Sequence, residues 1–217
     1  MENAEVKKNV LKTGTTTIGL VCKDGIVMAA DRRATMGNII ADKRAKKVHQ
    51  IADNIAMTIA GTVSDAQLLI KLIQAEVRLR NVRNGKAAIL KEVANYTSRM
   101  VYNNVRVPSM IPGMTHFLMG GKDMYGFHLY DIFLDGSITE CPDYVSSGSG
   151  STTVYGVLET LYKKDMSVEE GIKLVVKGLS AALQRDSASG CGYDVITITD
   201  SGFKKVIAKE LDTKLTV

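Results

Sequence analysis

This 217-residue chain has no tryptophan, only three prolines and only three cysteines. Each shortage excludes something. Three cysteines are too few to staple a small extracellular fold, and Cys22, Cys141 and Cys191 show no CxxC spacing. They read as reduced, mostly buried thiols. No segment approaches the roughly 18 consecutive apolar residues of a membrane span. The opening MENAEVKKNVLKTG lacks the apolar run of a signal peptide. A soluble chain that stays in the cytoplasm, off membranes, is the expectation. His49, His116 and His128 have no ligand-like spacing, so neither metal nor other cofactor is expected. With proline scarce and 19 glycines scattered, long regular elements joined by tight turns are expected.

Hydrophobic residues make up 45% of the chain and charged residues 24%. Both match a globular protein and exclude a disordered one. Net charge is +5. The basic excess gathers at Arg32, Arg33, Lys43, Arg44, Lys46 and Lys47. A nucleic-acid surface would interleave aromatics for stacking. None occurs in this stretch, so a solvated face with one or two working cations is the better reading.

The period of the pattern changes along the chain. Residues 15–22 and 26–31 are β-rich and flank Lys23-Asp24-Gly25, a hairpin signal. Residues 48–51 and 55–60 form a second pair. Residues 64–83 then read as a helix capped by Ser64-Asp65. Its apolar residues lie nearly all round, which predicts burial under a sheet or in a subunit contact. A second helix is predicted over 87–104, after Asn84-Gly85. Strands follow at 115–120, 125–134 and 137–145, and a third helix at 151–163. Ser167-Val168-Glu169-Glu170 is a capping box opening a fourth helix with an apolar stripe through Val168, Ile172, Val175, Leu179 and Ala182. A hairpin at 194–199 and 203–208 closes the chain. This order argues for an α+β protein with two facing sheets and helix pairs outside them. No repeat or linker divides it.

Four places carry candidate chemistry. They are Gly14-Thr15-Thr16-Thr17 before the first strand, Asp31-Arg32-Arg33 with Lys46-Lys47, the Ser146–Ser151 run SSGSGS, and QRDSASG at 184–190. Taken singly they read as a strand start, a surface ion-pair cluster, a cap-rich turn or anion nest, and a helix stop. Taken together, with AADRRATMG at 29–37, KRAKKVHQI at 43–51, MTIAGTVSDAQ at 57–67 and YGVLE at 155–159, they are more specific. From Thr15 onward the sequence resembles the proteasome β subunits of archaea. The resemblance implies a four-layer αββα sandwich of the N-terminal-nucleophile hydrolase type and a threonine endopeptidase.

A threonine hydroxyl needs a base, and an N-terminal threonine carries its own. An α-amino group titrates at about 7.7–8.0, well below lysine. Thr15 would therefore have to be freed by autocleavage after Gly14, so that residues 1–14 are a propeptide and 15–217 the catalytic domain. The resemblance carries Lys47 beside the Thr15 hydroxyl, Asp31 onto that lysine, and Gly61 into the oxyanion site. It sets Ser149, Asp186 and Ser189 around the new amine, with Arg33 as structural support. Thr35 and Val63 would bind the substrate main chain. Ala34, Ala45, His49, Ile59, Val63 and Gln67 would line a pocket favouring cleavage after large apolar residues.

The resemblance also implies heptameric β rings, capping rings of α subunits, an ATP-dependent unfoldase acting through the α ring, and unfolded polypeptides as substrates. A noncatalytic ring subunit would not need Thr15, Asp31, Lys47 and Ser149 together. A phosphate loop would need a lysine after its glycines, and none follows Ser147–Ser151 until Lys163. Nothing supplies an activated thiolate for a cysteine hydrolase, and the QRDSASG and SGSGS pairing argues against a small-molecule amidase.

Overall fold

The computed structural model describes residues 14–109 and 113–211. Strands β1 (Thr16–Cys22) and β2 (Gly25–Asp31) form the expected first hairpin. A short hairpin of β3 (Ala34–Met36) and β4 (Ile39–Asp42) follows, then β5 (Val48–Ala52) and β6 (Ile55–Gly61). Helices α1 (Val63–Asn84) and α2 (Leu90–Arg106) lead to β7 (Thr115–Asp123), β8 (Gly126–Ile132), β9 (Ile138–Glu140) and β10 (Tyr144–Gly148). Helices α3 (Ser151–Leu161) and α4 (Val168–Arg185) precede the closing hairpin, β11 (Gly192–Thr199) and β12 (Gly202–Glu210).

The long strands form two antiparallel five-stranded sheets, ordered β10-β1-β2-β11-β12 and β5-β6-β7-β8-β9. Three apolar layers hold them. Ile26, Met28, Leu118, Leu129 and Ile196 pack between the sheets. Ile18, Leu20, Val27 and Val195 turn to α3 and α4, where Val154, Val175 and Leu179 meet them. Met57, Phe117 and Met119 turn to α1 and α2, against Ile73, Val77 and Val93. Strand β2 shows the cause: alternate side chains point to opposite faces, and both faces are covered, so its sequence is apolar from Ile26 to Ala30, before the terminal Asp31. The result is the four-layer αββα sandwich.

Local signals explain two of the helix boundaries. The Ser167 hydroxyl accepts the Glu170 N–H and the Glu170 carboxylate accepts the Ser167 N–H, so the capping box is real. Helix α1 ends at Gly85, in the left-handed conformation.

Three expectations need correction. Helix α1 starts one residue early, with Thr62 as N-cap and no side-chain cap. Ser64 and Asp65 lie inside its first turn, where Asp65 faces the positive helix end. Helix α2 starts at Leu90 rather than 87, and its first N–H is taken by the Asp123 carboxylate. The segment 137–145 is two strands in two sheets, with Cys141 to Asp143 as the crossover. The α1 stripe also divides: Leu69, Ile70, Ile73 and Val77 are buried, while Leu68, Leu72, Leu79 and Val82 face outward. Cys22 is buried, and Cys141 and Cys191 are half-buried.

Ser167→Ala should therefore lower the unfolding free energy of the unassembled chain by about 1 kcal/mol in urea denaturation. Ser64→Ala, which removes no cap, should change it by less than about 0.5 kcal/mol.

Candidate active site

The ends of β1, β2, β6 and β10 and the start of β11 converge at one edge of the sandwich. The fixed point is the buried Asp31 carboxylate at the end of β2. Its Oδ1 takes the Thr16 N–H at 3.0 Å and the Lys47 ammonium at 2.7 Å. Its Oδ2 takes the Arg33 N–H and the Gly190 N–H, each at 3.0 Å. One side chain thus ties the start of β1, the turn after β2, the residue before β5 and the loop after α4.

Thr15 lies beside this knot, with 6% of its surface exposed. Its hydroxyl donates to the Gly14 carbonyl at 2.7 Å, and Lys47 Nζ donates to the same oxygen at 3.4 Å. The Gly14 N–H donates to Thr35 Oγ1 at 3.1 Å. The Gly14–Thr15 peptide is therefore held between the residues that the sequence singles out. Only glycine fits at 14, since a Cβ there would stand 1.8 Å from the Ala188 Cβ. Gly61 has φ +106°, and a side chain there would lie 2.2 Å from the Met114 carbonyl oxygen. Glycine is the residue that brings backbone so close.

On the amine side, the Thr15 N–H donates to Ser149 Oγ at 3.2 Å. Ser149 and Ser189 both donate to Asp186 Oδ2 at 2.6 Å. Of these three, Ser149 touches the Thr15 nitrogen. Asp186 and Ser189 stand behind it, and Ser189 instead meets the Thr16 hydroxyl at 2.7 Å. Arg33 braces the loop through Nη1 to the Ser187 carbonyl at 2.7 Å.

Electrostatics sharpen Lys47. Burial pushes its pKa below the ordinary lysine value, and the Asp31 charge and hydrogen bond oppose that shift. Burial also lowers His49, which meets the Lys46 carbonyl at 3.0 Å.

Two cavities flank Thr15. The larger, about 710 Å³, is lined by Ala34, Thr35, Ala45, His49, Ile59, Val63 and Gln67 along with Thr15, Lys47 and Gly61. The whole expected pocket set lies there. The smaller, about 270 Å³, is lined by Thr62, Met114, His116, Leu134, Ser147 and Gly148 and shares Thr15, Ala60 and Gly61. The sequence reading missed Thr16 and Gly190, whose amides complete Asp31. Gly190 lies inside the QRDSASG motif, a usable signal. It also missed His116, whose partners come from other strands.

No described helix is long and apolar enough to cross a membrane. Residues 11–198 match the model of the family described as Proteasome subunit. A protein of Archaeoglobus profundus named "Proteasome subunit beta" is 46% identical over 208 residues, 96% of this chain and 94% of that protein. Proteins of the same name from Ferroglobus placidus and Methanococcus maripaludis are 45% and 42% identical, over 93% and 98% of this chain and 94% and 95% of their own lengths.

Removing Asp31 should unpick four contacts at once. Asp31→Ala should cost about 3–5 kcal/mol, because Lys47 is left buried without a counter-charge. Urea unfolding of the isolated chain measures this, with Asp42→Ala, at an exposed position, as the neutral comparison.

Proposed function

The chain belongs to the proteasome subunit family, as a catalytic β subunit of the core particle and hence a protease, and from that premise we propose that Thr15 is its nucleophile. The observation that carries the reading is the Gly14–Thr15 peptide set among Lys47, Asp31, Thr35 and Ser149. The first reaction is then on the chain itself. Lys47, whose hold on its proton is weakened by burial, or a water takes the Thr15 hydroxyl proton. Oγ1 attacks the Gly14 carbonyl carbon, and the Gly61 N–H receives the developing oxyanion, a donor typically worth about 2.7–4 kcal/mol. The Gly14–Thr15 C–N bond breaks, the nitrogen takes a proton, and an ester joins Gly14 to Oγ1. Water hydrolyses that ester, which frees residues 1–14 with a new carboxylate and leaves Thr15 with an amine.

Turnover repeats the sequence on substrate. The Thr15 amine now takes the hydroxyl proton and returns it to the leaving nitrogen. Ser149 orients that amine, and Asp186 with Ser189 holds Ser149. Lys47, paired with Asp31, keeps the hydroxyl acidic. The large cavity takes the side chain before the cut bond. Its mostly small and apolar lining favours large apolar residues, with His49 and Gln67 as its polar points.

Family membership entails assembly into a core with other subunits. Our reading adds heptameric β rings capped by α-subunit rings, fed unfolded polypeptide by an ATP-dependent unfoldase in the cytoplasm. The outward stripe of Leu68, Leu72, Leu79 and Val82 on α1 supports a surface that assembly covers.

Intact mass with N-terminal sequencing tests the reading. Wild type assembled with its ring partner should begin at Thr15. Thr15→Ala and Lys47→Ala should keep residues 1–14 and show no peptidase activity, while Lys43→Ala should behave as wild type. Mature wild type should gain kcat/KM as pH rises through about 7.7–8.0, because the amine must be neutral to act. Cleavage by a chain retaining any residue before Thr15 would exclude the amine as base.

A further inference from the structure

The smaller cavity holds a side-chain chain that the cleavage chemistry leaves unused. His116 of β7 pairs across from Ala60 of β6, next to Gly61. Its Nδ1 meets Ser147 Oγ of β10 at 2.8 Å, and its Nε2 meets Asp131 Oδ1 of β8. The contact bridges the two sheets within two residues of Ser149. Phe133 packs edge-on to the imidazole, with ring centroids 4.8 Å apart. The ring is thus fixed from three sides, and Ser147, which lines this cavity, is 3% exposed.

The position of Gly14 sets which cavity does what. Gly14 is the residue before the cut bond, and its N–H is held by Thr35, which lines the large cavity and not the small one. A substrate attacked at the same carbonyl position must send its other half the opposite way. On that geometry, and resting on the reading of Thr15 as nucleophile, we propose that the small cavity seats the residue following the cut bond and that Ser147 selects there for a side chain carrying an N–H donor.

The direction of the hydrogen bonds gives the selection. A carboxylate only accepts, so the ring hydrogen that Asp131 takes is on Nε2. With that as the ring's one hydrogen, Nδ1 is an acceptor and the Ser147 O–H donates to it. Ser147 Oγ keeps its remaining acceptor capacity, with Asp131 behind it as a source of negative charge. Met114 and Leu134 form apolar walls, and about 270 Å³ holds one side chain. An amide or ammonium group completes the chain of hydrogen bonds. A carboxylate meets lone pairs and a like charge, which rejects it.

The test uses the mature, assembled enzyme and four peptides that differ only after the cut bond, with Gln, Lys, Leu or Glu there. Products are identified by mass, so that the cut position is fixed. Wild type should cleave before Gln or Lys about tenfold faster than before Glu, in kcat/KM. Ser147→Ala should bring that ratio close to one, and Ser147→Thr, which keeps the hydroxyl, should restore it. A flat wild-type profile overturns the proposal. So does a Ser147→Ala loss equal on all four peptides, which marks a role in holding the sheets only. Thr15→Ala separates the two readings: cleavage persisting there refutes Thr15 as nucleophile, whereas a flat profile with Thr15-dependent cleavage refutes the selection alone.

Discussion

A buried negative charge organises this end of the molecule. Asp31 has no water to turn to, and an unmatched carboxylate in such a place is very costly. The chain answers with three backbone amides and one ammonium, drawn from four separate segments. Each partner is placed by the need to satisfy the same group. Lys47 thereby ends up against the Gly14 carbonyl, and Thr16 fixes where Thr15 must lie. Burial and the Asp31 charge pull the lysine's hold on its proton in opposite directions.

The sandwich makes that arrangement possible. Strands β1 and β2 are covered on both faces, so their ends cannot shift without disturbing two apolar layers. The site residues stand where those strands run out, on short turns anchored to rigid elements. Chemistry placed at such ends has exposed backbone to offer and a stiff base beneath it.

The fold was legible where a local rule governs it. Ser167 and Glu170 are three residues apart and satisfy each other, so the start of α4 could be read from four letters. The start of α1 misled because Ser64 and Asp65 are good capping residues, yet the helix already begins at Val63 with Thr62 at the N-cap position and no side-chain cap. The split of 137–145 turns on which sheet each half joins, a long-range matter on which alternation is silent. The β3–β4 hairpin escaped because its strands are short and exposed. The site shows the same division. Gly14-Thr15, Asp31, Lys47 and QRDSASG could be picked out as an ordered set resembling one family. The place of Ser189, behind Ser149 and against Thr16, could not. His116 was opaque for the same reason: its partners lie 15 and 31 residues away on two other strands.

Gly14 has one more consequence. Its N–H is held by Thr35, its carbonyl by Lys47, and its α-carbon fits against Ala188 with no room to spare. On the proposed reading of Thr15 as nucleophile, the uncut chain is a tethered inhibitor of its own centre. A tethered group competes at an effective concentration on the order of millimolar, so a free polypeptide at ordinary cellular levels cannot displace it. On that reading occupancy by Gly14 keeps the uncut subunit silent toward other proteins until the bond between Gly14 and Thr15 is broken.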